Sequence, residues 1–148
     1  MKYGILPVCL VVALWGTLGL AQDTKDRPAS TRVDGAWRLV TQKNGELKEQ
    51  TAVPDDERQI KLLADGRYSW TWFKKDGKVL FGLGGRYTIE GDKYIEHIEY
   101  AIGDEFAQFV GKSAEFKSIF EAGKWRHKGV VKVNGMDYTI DEVWERLK

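Results

Sequence analysis

Glu96, His127, Glu142 and Arg146 are the residues of this chain best placed to do chemistry, because each shares the alternation of the apolar residues around it. Glu96 lies between Tyr94 and Ile98, His127 follows Trp125 and leads to Val131, and Glu142 and Arg146 flank Trp144 after Tyr138 and Ile140. Alternate residues of a strand face opposite sides, so these polar groups are expected to point inward, where an ionised group without a partner is costly. Arg146 is expected to stack over an indole, Trp37 or Trp144. For Glu96, His127 and Glu142 two outcomes stand side by side, internal pairing and contact with a ligand. Carboxylates walled by Trp and Tyr suit an amine or a hydroxylated molecule. Two carboxylates with pKa values pushed apart would instead serve hydrolysis or isomerisation, which is the enzymatic alternative.

Other chemistries find little support. His97 and Glu99 share a face, but it is the outward one, and His127 points the other way, so the two histidines do not meet and no metal site is expected. No Gly-x-Ser-x-Gly elbow is present, His127 has no serine close in sequence, and no glycine loop precedes a helix to cradle a phosphate. No cofactor is expected.

The elements that must position these residues are strands. Asn44-Gly45, Asp65-Gly66, Asp76-Gly77, Gly91-Asp92, Ala122-Gly123 and Asn134-Gly135 separate runs rich in aromatic and β-branched residues, and such pairs supply the positive φ of tight hairpins. With the longer connection from Gly103 to Gly111 they predict eight strands, near 35–43, 57–64, 67–74, 78–90, 93–101, 112–121, 124–133 and 136–146. Gly82, Gly84 and Gly85 mark a bend in the fourth. Asp104 to Val110 carries Phe106, Phe109 and Val110 at helical spacing and predicts one short helical segment near 104–110, covering a barrel mouth. Sequential hairpins with no long helix to cover an apolar face predict an all-β fold, an eight-stranded antiparallel up-and-down β-barrel. The inward set is then Trp37, Leu39, Ile60, Leu62, Tyr68, Trp70, Trp72, Tyr87, Ile89, Tyr94, Ile98, Tyr100, Phe116, Phe120, Trp125, Val131, Tyr138, Ile140 and Trp144. From it Trp70, Trp72, Trp125 and Tyr138 are expected to line one ligand cavity with Glu96, His127 and Glu142. An eight-stranded barrel either is just filled by side chains or holds one small ligand, so a filled barrel acting through surface protein contacts is a third possibility.

The first residues read as an export signal. Lys2 is followed by an apolar run from Ile5 to Leu20, and Gly19-Leu20-Ala21 offers small residues for cleavage after Ala21. Residues 1–21 are thus a signal peptide, 22–33 a flexible polar leader and 34–148 the barrel. Removal of the signal leaves no stable membrane span and also takes Cys9, the only cysteine, excluding thiol catalysis and disulfides. The formal charge of +1 loses Lys2 and falls to about zero, without a nucleic-acid footprint. The protein is expected to be periplasmic or extracellular.

Asp34-Gly35-Ala36-Trp37 at the start of the first strand and Arg146 in Glu142-Val143-Trp144-Glu145-Arg146 at the end of the last resemble the Gly-x-Trp and arginine signature of lipocalin-like proteins in the calycin group, in particular its small secreted bacterial members. The layout is similar from Asp34 to Lys148, and the loop from Asn44 to Asp56 is similar to the first-hairpin lid of those barrels. The Thr-Asp-Tyr motif of kernel lipocalins is absent. The resemblance implies Gly35, Trp37 and Arg146 as a structural signature and the carriage of a small hydrophobic or amphipathic molecule.

Overall fold

A computed structural model describes residues 32–148. The expected signal peptide, and the expected leader as far as residue 31, lie outside the described residues. The strands are β1 (Gly35–Gln42), β2 (Thr51–Ala52), β3 (Glu57–Ala64), β4 (Arg67–Lys74), β5 (Val79–Glu90), β6 (Lys93–Ile102), β7 (Ser113–Glu121), β8 (Lys124–Val133) and β9 (Met136–Arg146), with a 3-10 helix at Asp104–Phe109. From β3 onward each strand pairs antiparallel with the next, β1 pairs with β3, and pairing of β1 with β9 closes an eight-stranded up-and-down barrel. The two-residue β2 was not expected. It pairs with Thr41 and Gln42, continuing the edge of β1 beyond the point where β3 leaves it.

Closure is clamped at one end by the arginine and its indole. Trp37 and Arg146 are direct partners across β1 and β9, and the guanidinium lies 4.3 Å from the Trp37 ring centroid. Arg146 Nη1 donates to the Asp34 carbonyl at 2.5 Å and Nη2 to the Arg32 carbonyl at 2.7 Å. Trp37 Nε1 donates to the Val33 carbonyl, and the Tyr87 hydroxyl to the Asp34 carboxylate. Val33 is fully buried by this lashing. Gly35 is required here. Its φ is +127°, and a side chain on it would run into the Arg146 guanidinium.

Two strands correct the expected parity. On β3, Gln59, Lys61 and Leu63 point inward, while Leu62 is 52% exposed and Ile60 lies on the outer side. The apolar pattern of this strand is ambiguous because Leu62 and Leu63 adjoin, and its neighbours decide: Lys61 pairs with Trp37 on one side and Trp70 on the other, both inward. On β6, Tyr100 was expected inside and is 45% exposed. Gly84 pairs with Tyr100 but Gly85 pairs with Ile98, so Glu99 is an extra residue in a β-bulge that reverses the alternation beyond it. A side chain at Gly85 would strike the His97 carbonyl, so the bulge needs glycine opposite it.

Arg146→Ala should lower stability by about 1–3 kcal/mol, the sum expected for a cation–π stack and charged hydrogen bonds. Arg146→Lys should recover little, since an ammonium does not span both carbonyls while stacking. Urea unfolding checks this, and an alanine variant as stable as the parent would mean the clamp does not hold the barrel shut.

Candidate functional site

The barrel interior has two unlike halves. Toward the clamped end Trp37, Trp125, Trp144 and Tyr94 are packed at ring-centroid distances of 5.0 to 6.5 Å without contact with solvent. Toward the other end lies a cavity of about 510 Å³, within the size range of small-molecule sites. Its apolar wall includes Trp70, Trp72, Leu83, Val131, Tyr138 and Ile140. Phe106 and Phe109 of the 3-10 helix roof it, Phe106 packing on Trp70 at 5.5 Å and on Phe81 at 4.8 Å. Val110, expected on the same face, is exposed, because the helix ends at Phe109. From the opposite rim the loop after β1 brings Leu47 and Asn44 to the cavity, and the Gln108 side chain ties the 3-10 helix to the Asn134 amide at the β8–β9 turn.

The floor is polar. Lys61, 4% exposed, sets its ammonium 2.6 Å from Glu96, which also accepts from the Tyr94 hydroxyl at 2.9 Å. Around that ammonium stand the rings of Tyr94, Trp125, Trp144 and Phe116, at 5.0 to 6.0 Å. Beside it His127 Nε2 lies 2.6 Å from Glu142 Oε2, with Trp144 Nε1 donating to the same oxygen at 3.2 Å. Asn44 Nδ2 donates to Glu142 Oε1 at 2.9 Å, and its own oxygen accepts from the Asp141 amide.

No protein-family model and no curated protein matches this sequence. Among solved structures the chain is similar to a lipocalin-like protein from Bacteroides uniformis, with a TM-score of 0.53 and 13% identity over 77% of this chain and 97% of that one. The fold is lipocalin-like.

Of the residues expected to line the lipocalin-like cavity, Trp70, Trp72, Glu96, His127, Tyr138 and Glu142 do so. Trp125 does not. It faces inward as expected but lies beneath the floor, fully buried against Trp37, Tyr94 and His127. The two glutamates, expected as a possible acid and base pair, are each engaged by a separate basic side chain, Lys61 for Glu96 and His127 for Glu142. The sequence reading missed Lys61, hidden by the parity of β3, and Asn44, noticed only as half of a turn signal. His97 faces outward, between Thr88 and Ser113.

Complete burial, aided by the Lys61 ammonium, pushes the His127 pKa below its ordinary value. The neutral ring keeps its proton on Nε2, toward Glu142, and leaves Nδ1 as a buried lone pair without a partner among the described residues. Burial alone would raise the Glu142 pKa, but the hydrogen bond and electrostatic pull of His127, the nearby Lys61 charge and the hydrogen bond from Asn44 hold it below the usual carboxylate value. Glu142 is therefore ionised among neutral donors.

Two outcomes follow for stability. Glu96→Gln strands a buried ammonium and should cost about 3–5 kcal/mol, and combining it with Lys61→Met should return much of that. Chemical unfolding of the three variants measures it, and equal losses in the single and double variants would contradict the pairing. For pH, a folded-state histidine pKa below the unfolded value means that the unfolded chain binds more protons. Its contribution is complete above pH 6.5 and is lost as pH falls from there through the folded value; Glu142 adds a further loss beginning below pH 4.5. Thermal unfolding of His127→Gln should show a flatter slope than the parent between pH 7 and pH 5, and identical slopes would refute the assignment.

Proposed function

We propose that this protein is an exported carrier that holds one small amphipathic molecule in the upper half of its barrel. The observation that carries the reading is the pairing of a roughly 510 Å³ aromatic cavity with a polar floor. An apolar body fits between Trp70, Trp72, Leu83 and Val131, while a polar head reaches the floor at Lys61, Glu96 and Glu142. The lipocalin-like fold supports small-molecule binding. The open cavity counts against a barrel filled by its own side chains. The floor also weighs against the enzyme reading, since each glutamate is already engaged by its own basic side chain, Lys61 for Glu96 and the neutral His127 ring for Glu142, and His127 Nδ1 is buried from solvent. Export rests on the apolar run before Ala21, and mass spectrometry of the secreted protein should find a terminus at Gln22 or within two residues of it; an intact Met1 would overturn it.

The binding reading is tested with 1-octanol and with the neutral dye N-phenyl-1-naphthylamine. Each should perturb tryptophan emission through Trp70 and Trp72, and they should compete. Val131→Trp, which places an indole inside the cavity, should weaken both by about tenfold or more, the scale of a blocked pocket. Binding of neither molecule to the parent, or undiminished binding to a folded Val131→Trp variant, would remove the carrier assignment.

A further inference from the structure

The carrier reading leaves the charge of the ligand open, and the cavity wall addresses it. Lys61 is the only lysine or arginine among the described residues that line the cavity, whereas three carboxylates do so: Glu96 and Glu142 at the floor and Glu105 near the roof. Lys61 and Glu96 neutralise one another at 2.6 Å. Glu142 has no such partner. Its oxygens accept from Asn44, Trp144 and the His127 ring, so its hydrogen bonds are met, but no lysine or arginine among the described residues is paired with it. A buried charge lacking a counter-charge is among the costliest features a fold carries, and this one faces the cavity.

From this imbalance we infer that the ligand is a cation, an amphipathic primary amine whose ammonium sits against Glu142 and whose apolar chain lies along Trp70 and Trp72. The inference rests on the carrier reading and narrows it. An aromatic wall of Trp70, Trp72 and Phe106 suits a cation better than an anion, since the π-face of an aromatic ring attracts positive charge. Fatty carboxylates fit the same shape but would add a negative charge to the three carboxylates of the lining, whose one ammonium is already paired. Asn44 makes the site selective for a small head group: it arrives with the loop after β1 and occupies Glu142 Oε1, so a bulky quaternary ammonium has to displace it.

The test compares n-octylammonium, 1-octanol, octanoate and octyltrimethylammonium on the full chain at pH 7.5 by calorimetry and tryptophan emission. Octylammonium should bind at least about tenfold tighter than octanol and a hundredfold tighter than octanoate, as a charge at a poorly hydrated counter-ion demands. The trimethyl analogue should fall behind the primary amine. Glu142→Gln should cut the amine-to-alcohol ratio to about threefold or less. If that variant unfolds, the ligand series on the parent still decides. Octanol binding as tight as or tighter than octylammonium, or preference for octanoate, overturns the cationic ligand while leaving the carrier standing. Failure of all four to bind removes both.

Discussion

The ion pair between Lys61 and Glu96 is the constraint on which the interior depends. A lysine ammonium at this depth is tolerable only with a carboxylate in contact and polarisable faces around it, and the barrel supplies both: Glu96 from β6, Tyr94 beside it, Phe116 from β7, Trp125 from β8 and Trp144 from β9. Five strands must therefore hold register for one charge to be satisfied. The pair also fixes a layer across the lumen. Below it the indoles pack without space; above it the cavity opens.

That layering explains how one barrel holds both a packed core and an open cavity. The clamped end, with Trp37 under Arg146 and Val33 tucked beneath, carries the packing that a chain without disulfides needs. The open end has surrendered packing to a cavity, and its roof is built from separate pieces: Phe106 and Phe109 on the 3-10 helix, Leu47 and Asn44 on the loop after β1. Asn44 belongs to both, since it closes the rim with one side-chain atom and holds Glu142 with the other.

Much of this architecture was legible in the sequence because turn chemistry is local. Asp65-Gly66, Ala122-Gly123 and Asn134-Gly135 each place a non-glycine residue at positive φ before a glycine, and the strand boundaries they imply agree with the structure to within a residue or two. The inward polar set was legible for a related reason: Glu96, His127 and Glu142 interrupt otherwise clean alternation. Lys61 was not, because the adjacent pair Leu62-Leu63 fits either parity and only the flanking strands choose between them. Tyr100 was misplaced by a bulge at Glu99: Gly84 and Gly85 signalled a bend on the partner strand, but not that the extra residue would fall on β6 and reverse its alternation. Trp125 was placed on the right face at the wrong depth, since alternation reports which side a residue faces and not how far along the lumen it lies.

The central claim is that the Lys61–Glu96 layer divides a packed lower barrel from a binding cavity above it, and indole NMR tests it most directly. With nitrogen-labelled tryptophan, titration with 1-octanol should move the indole signals of Trp70 and Trp72 strongly, that of Trp144 at the floor weakly, and those of Trp37 and Trp125 hardly at all. Movement of Trp37 and Trp125 as large as that of Trp70 and Trp72 would mean that ligand passes the charged layer, and the division of the barrel would have to be abandoned.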